Sequence, residues 1–226
     1  MIARLHYVGP MKDAPSLTPE LLLHAYSVGV FPMAETRHDT EVFWVEPRMR
    51  GIFEMDGFHI SRSLAKHMRQ EPFQISFDAA FREVMIGCAD RSETWISQTI
   101  LDLYTELFEL GFGHSIEIWE QGELVGGVYG LAIGGAFFGE SMFSKRTNAS
   151  KIALAYLIDR LRIGGFALFD TQFITPHLAS LGAIEIPKAT YKKRLKAALE
   201  LEADFHAAGD RVPTPYDVIQ RSIQTS

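Results

Sequence analysis

Two short runs carry the residue types from which a reaction centre can be built: Phe137-Phe138-Gly139-Glu140-Ser141-Met142-Phe143 and Phe169-Asp170-Thr171-Gln172. A carboxylate set among apolar neighbours must be paired, hydrated at a pocket edge or shifted in proton affinity, because an unpaired charge in apolar surroundings is costly. Glu140 is therefore either a site residue or a strand-end residue turned to solvent. Asp170 is equally open between a functional role and a strand-end cap, and Gln172, two positions on, shares its side of an extended strand. Carboxylates beside an amide can hold a substrate amine. An acid orients the ammonium or takes its proton, and Gln172 donates a hydrogen bond to a developing oxyanion.

Other chemistries are poorly served. Gly126, Gly127, Gly130, Gly134 and Gly135 lie inside strand-like runs, whereas a dinucleotide fingerprint or a phosphate loop needs a strand-to-helix turn. The eight histidines show no pair at ligand spacing, so no metal site is expected. No Gly-x-Ser-x-Gly elbow occurs, and Ser141 has no histidine near it in sequence. The single cysteine, Cys88, sits in the helix-like run Val84-Met85-Ile86-Gly87-Cys88-Ala89 and reads as core, with no partner for a disulfide or a zinc cluster.

The elements that must position these residues follow from the patterning. At 226 residues, with 47% hydrophobic and 12% aromatic content, the chain can bury a full core as one large domain or two unequal ones. Nothing approaches the roughly 18 uninterrupted apolar residues of a membrane span. The N-terminus lacks the charged-then-apolar order of a secretory signal, so a cytoplasmic location and no membrane partner are expected. The net charge of −6 argues against a general nucleic-acid coat. Yet Lys188 to Lys196, KATYKKRLK, carries five basic residues and no acid, which suits either phosphates or a solvated helix face.

Thr18 followed by Pro19 predicts a helix start, with a stop near Gly29; a short aromatic strand is expected over Val42 to Pro47 and another over Gly51 to Phe53. Ser61 and Asp78 are expected to cap helices on either side of a strand at Phe73 to Phe77. An amphipathic helix spans Thr99 to Leu110 and is closed by Gly111. Two strands flank the turn Gln121-Gly122, a third runs from Gly135 to Met142, and a helix follows over Ser144 to Arg162. Ala167 to Asp170 reads as a buried strand, Thr175 to Leu181 as a short helix and Thr190 to Leu201 as a longer one, with a loosely packed tail from Gly209. The expected class is α+β with a mostly antiparallel sheet, divided into a small N-terminal domain over residues 1–57 and a larger one over 58–226.

The ordered blocks GVFPMAE, VFWVEPR, FHISRSL, ETWISQTILDLYTELFELGFGHSIEIWEQGELVGGVYG, FFGESMFS, NASKIAL, FDTQF and HLASLGAIEIP resemble the bacterial leucyl/phenylalanyl-tRNA-protein transferases from about Leu21 to about Leu195. The resemblance implies an acetyltransferase-like (GNAT) fold behind a small N-terminal α/β domain, with no acetyl-CoA and no other cofactor. It implies transfer of leucine or phenylalanine, and less readily methionine, from aminoacyl-tRNA to proteins that begin with arginine or lysine, marking them for N-degron degradation. Carried over by motif, Asp170, Gln172 and Glu140 are the catalytic residues, with Asp170 orienting or deprotonating the acceptor amine.

The apolar pocket for the transferred side chain is then expected from Met142, Phe143, Phe138, Leu168 and Phe169, and after these Val128 and Tyr129. Trp95 and Trp44 are expected beside the 3′-terminal adenosine, although Phe43-Trp44-Val45-Glu46-Pro47-Arg48 departs from the W-W-S-P-D-P-R of many members. Arg62, Lys66, Lys188, Lys192, Lys193 and Arg194 become the expected tRNA-phosphate contacts, on a monomer. The competing classes are a non-enzymatic tRNA- or peptide-binding module and an acyltransferase using acyl-CoA or a peptidoglycan precursor.

Overall fold

The computed structural model describes residues 7–8, 17–34, 42–209 and 211–223. The elements run β1 (Tyr7–Val8), α1 (Pro19–Ser27), β2 (Phe31–Met33), β3 (Phe43–Val45), β4 (Met49–Phe53), α2 (Arg62–Met68), β5 (Gln74–Phe77), α3 (Phe81–Ala89), α4 (Gln98–Glu109) and β6 (Gly113–Glu120). They continue with β7 (Glu123–Ile133), β8 (Ala136–Ser144), α5 (Ala149–Ile163), β9 (Leu168–Gln172), α6 (Pro176–Ser180), β10 (Ile184–Pro187), α7 (Lys188–Leu199) and α8 (Pro215–Ile223). A three-stranded sheet has the order β1-β3-β2, and a seven-stranded sheet has the order β10-β4-β9-β8-β7-β6-β5. Within the large sheet every pairing is antiparallel except β8 with β9. The mixed, mainly antiparallel class agrees with the expectation from patterning.

Local chemistry explains most boundaries. Thr18, Ser61, Ser97 and Thr175 each accept a hydrogen bond from the backbone N–H three residues on, which satisfies an orphan donor at the start of α1, α2, α4 and α6. Gln121 and Gly122 both take positive φ, 53° and 84°, as a two-residue hairpin between β6 and β7 requires. The cap expected from Asp78 is not made. Its Oδ1 accepts from Ser115 N–H at 2.6 Å, and the buried Glu117 accepts from the N–H groups of Ala79 and Ala80 at the head of α3 instead. A carboxylate on a neighbouring strand thus does the work that sequence proximity assigns to Asp78.

Two buried clusters sandwich the large sheet. One gathers Phe53, Ile116, Ile118, Phe137 and Phe169 beneath α2, α5 and α8; the other gathers Ile52, Tyr129, Leu131, Phe138 and Leu168 beneath α1, α3, α4 and α7. The pleat decides the assignment, since neighbours such as Phe137 and Phe138 must point to opposite faces. β4, which lies within the first 57 residues, is hydrogen-bonded between β10 and β9 of the large sheet. The tail expected to pack loosely instead forms α8, with Val218 and Ile219 buried and Arg221 gripping Asp159 through two bonds of 2.6 and 2.7 Å. Asp210 and residues 224–226 of that tail lie outside the described residues. Among the described residues no helix is long and apolar enough to cross a membrane.

Candidate active site

The parallel pair β8 and β9 opens the sheet. Their register covers only Ala136 to Phe138 against Leu168 to Asp170, and beyond it the two strands part. Each strand also carries a bulge at the point of separation: Gly130 pairs with Gly139 and Tyr129 with Ser141, leaving Glu140 unmatched on β8, while Gly51 pairs with Gln172 and Ile52 with Asp170, leaving Thr171 unmatched on β9. Such bulges re-aim side chains next to functional sites. Glycine is needed beside the first one, because a Cβ at Gly139 would stand 2.7 Å from the Phe169 ring. Gln172 takes φ 56°, a left-handed conformation that non-glycine residues adopt at some cost and that clusters at sites.

A cavity of about 320 Å³ fills the gap between the parted strands. Phe31, Met33, Trp95, Val128, Met142, Leu154, Phe169 and Leu178 make its wall mainly apolar, and Glu140 and Arg91 are its charged lining residues. Gln172, Thr171, Thr175 and Ser141 complete the polar lining. Arg91 is turned onto the wall itself, donating to Ser141 Oγ at 3.0 Å and to the Met142 carbonyl at 2.9 Å.

Among the described residues no cation contacts Glu140. Tyr26 Oη donates to its Oε1 at 2.6 Å, Tyr104 Oη to its Oε2 at 3.2 Å, and Gln172 Nε2 approaches Oε1 at 3.5 Å. Burial pushes the Glu140 carboxyl up to about 7; the Tyr26 hydroxyl opposes the shift and the Asp170 charge adds to it. Burial likewise raises the Tyr26 and Tyr104 hydroxyls well above their ordinary range, so they act as neutral donors.

Asp170 lies behind this surface, fully buried and outside the cavity lining. Arg50 Nε donates to its Oδ1 at 2.9 Å and Arg50 Nη2 to its Oδ2 at 2.6 Å; Tyr191 Oη donates to Oδ2 at 2.7 Å, and the Gln172 N–H to Oδ1 at 2.8 Å. The Arg50 guanidinium is itself held between the Phe31 and Tyr191 rings, 4.5 Å from each centroid. Asp170 therefore fixes the backbone that turns Gln172 into the cavity, and its oxygens are occupied.

Of the expected site residues, the fold brings Glu140, Gln172, Met142, Phe169 and Trp95 to one cavity wall, together with Val128. Phe138, Leu168 and Tyr129 are buried core, and Phe143 packs against Gly87 of α3 on the other face from Met142. Trp44 sits on β3 of the small sheet, outside the lining.

On α7, Lys188 and Lys192 both pair with Glu46, and Arg194 pairs with Glu54 at 2.6 Å, while Lys193 is exposed. Arg62 and Lys66 stand on α2, in the opposite helical layer. Arg50, Tyr26, Tyr104 and Tyr191 were not expected from the motifs. Spatial pairing alone gives them a role.

The histidines, unpaired along the chain, do not all stay apart in space. His114 and His206 converge on Asp78, a grouping that spacing along the chain does not show. Cys88 is buried as expected, with its thiol pushed up to about 12 by burial.

A family model described as "Leucyl/phenylalanyl-tRNA protein transferase" matches residues 52–196, and one for the N-terminal domain of the same transferase matches residues 15–48. A leucyl/phenylalanyl-tRNA–protein transferase of Ruegeria pomeroyi is 60% identical over 211 residues, covering 93% of this chain and 100% of that protein. One of Cereibacter sphaeroides is 60% identical over 212 residues, covering 94% and 99%. A crystal structure of FemX superposes with a TM-score of 0.49 at 11% identity, over 74% of this chain and 66% of that one.

Proposed function

The chain belongs to the leucyl/phenylalanyl-tRNA protein transferase family and is an aminoacyltransferase, and from that premise we propose that the cavity between β8 and β9 receives the aminoacyl end of a charged tRNA and the N-terminus of an acceptor protein. The transferred residue is leucine or phenylalanine, and less readily methionine; the acceptor begins with arginine or lysine, and the product enters N-degron degradation. A charged tRNA as donor supports a cytoplasmic reaction. The acetyltransferase-like (GNAT) organisation is our reading of the fold, supported by the single parallel pair that parts around the cavity.

The observation that carries the reading is Glu140, among the described residues the one carboxylate in a mainly apolar lining, beside the Gln172 amide. An acceptor α-ammonium has an ordinary proton affinity of about 7.7–8.0, close to that of a carboxyl near 7, so transfer between them is nearly balanced. Glu140 takes the proton, and the neutral amine attacks the ester carbonyl. The Gln172 amide stabilises the oxyanion of the tetrahedral intermediate. The new C–N bond is made in that attack; collapse of the intermediate breaks the ester C–O bond, the tRNA ribose oxygen leaves with the proton that the attacking nitrogen, now an ammonium, gives up, and Glu140 releases the proton it took to solvent. Asp170 is a positioning residue in this scheme, holding the backbone of Gln172.

Met33, Met142, Val128, Leu154 and Leu178 offer a slot for an unbranched or γ-branched side chain. Shape alone separates leucine from valine by only about 1–3 kcal/mol, so methionine is tolerated.

The test uses charged tRNA carrying phenylalanine with two peptides, one starting with arginine and the same peptide N-acetylated. The expected mass gain is one phenylalanine on the free peptide and none on the blocked one. No gain on the free peptide overturns the reading.

A further inference from the structure

The geometry points to a second site, remote from the cavity: we propose that Asp78, His114 and His206 bind one Zn²⁺ ion. Three segments far apart in sequence bring their donors together, with Asp78 Oδ2 at 2.8 Å from His114 Nδ1 and 3.2 Å from His206 Nε2, and all three atoms within 4.8 Å of one another. The carboxylate is aimed. Its Oδ1 accepts from the Ser115 N–H, which leaves Oδ2 facing both rings.

The His114 ring is fixed by stacking on Phe205, with centroids 4.1 Å apart and planes at 17°, and Phe205 in turn stacks on Phe137. His206 is 52% exposed while Asp78 and His114 are largely covered, so one side of the cluster opens to water.

Two imidazoles and one carboxylate form a borderline donor set that suits zinc at about 2.0–2.2 Å per ligand. Tetrahedral edges of roughly 3.3 Å follow from those bond lengths; the two Asp78 separations, 2.8 and 3.2 Å, lie close to them, and the imidazole nitrogens lie within 4.8 Å of each other. Water on the exposed side of His206 takes the fourth position. One group opposes the ion: Arg160 Nη2 stands 3.5 Å from His206 Nδ1, although it is anchored by donating to the Gly209 carbonyl at 3.0 Å. Its charge makes the site weaker than a closed four-ligand structural site.

The consequence is mechanical. The ion ties the segment after α7 to the turn before α3 and to β6, at the β5 end of the sheet, with β7 and β8 between it and β9. It is a clamp, independent of the transfer chemistry.

The test takes the full chain without a histidine tag, stripped with chelator. Zn²⁺ is titrated by calorimetry and Co²⁺ by visible absorption. Expected are one equivalent of binding, the d–d bands of four-coordinate cobalt, and a melting temperature raised by a few degrees (about 4–5 °C) in saturating zinc. Asp78→Asn and His206→Ala should each weaken binding at least about tenfold and abolish the melting shift. Binding absent in the wild type, or unchanged in both variants, overturns the proposal.

Discussion

Glu140 and Asp170 occupy neighbouring strands of one sheet, near the end of the short register that joins β8 to β9, and their surroundings differ in countercharge. Asp170 is gripped by the Arg50 guanidinium, a tyrosine hydroxyl and a backbone N–H. Among the described residues Glu140 meets neutral hydroxyls and a distant amide, at the wall of a cavity. Burial alone does not make an acid reactive. A buried carboxylate with a matched cation is a structural wedge, whereas one without a cation is driven toward neutral proton affinity and becomes available for exchange. This difference is why the proposed scheme takes Glu140 as the proton acceptor and gives Asp170 the task of setting Gln172.

The contrast can be broken most forcefully at Glu140. Glu140→Gln keeps shape and one acceptor oxygen, and should lower kcat/KM for phenylalanine transfer by about 10²–10⁴-fold while the protein stays folded. Near-normal transfer would return the proton to another group.

Arg50→Ala comes next, because it strands the Asp170 charge in the core. A loss of about 3–5 kcal/mol in urea unfolding is expected. A loss below about 1 kcal/mol would mean that Asp170 is not held as an ion pair.

Tyr191→Phe removes a single donor to the same carboxylate and should cost about 1.5–3 kcal/mol. Its effect on kcat should track the loss of Gln172 placement, with the pH profile unmoved.

The remaining effect is a slope. Glu140 holds its proton more tightly in the fold than in the unfolded chain, with a folded value of about 7. Its contribution to stability is therefore complete below the ordinary carboxylate range and is lost as pH rises to about 7. Measured against wild type, Glu140→Gln should gain relative stability over that window and hold a constant difference above it. A difference that is flat from pH 5 to 8 would show that Glu140 is not perturbed.

Much of the fold was legible locally. Caps at Thr18 and Ser61 announce their helices because a side-chain oxygen three residues before an amide is a short-range arrangement. The hairpin at Gln121-Gly122 is equally local. Asp78 and Glu117 show the limit, since both have the chemistry to cap α3 and only strand pairing decides which one does. The pocket shows it again. Met142 and Phe143, or Leu168 and Phe169, are adjacent residues that a motif groups together, yet the pleat sends each pair to opposite faces, and only Met142 and Phe169 reach the cavity.

Ordered motifs, apolar periodicity and capping residues determined the family, the mixed class and the short list that holds Glu140, Asp170 and Gln172, because each depends on residues close along the chain. Tertiary structure alone decided which acid is paired, because Arg50 lies 120 residues from Asp170 in sequence and meets it only across β4 and β9. It also decided where the cavity opens, since a sheet parts only where two strands diverge, and it brought Asp78, His114 and His206 within reach of one ion. Proton affinity, cavity shape and metal coordination are sums over neighbours in space, and a linear chain does not list those neighbours.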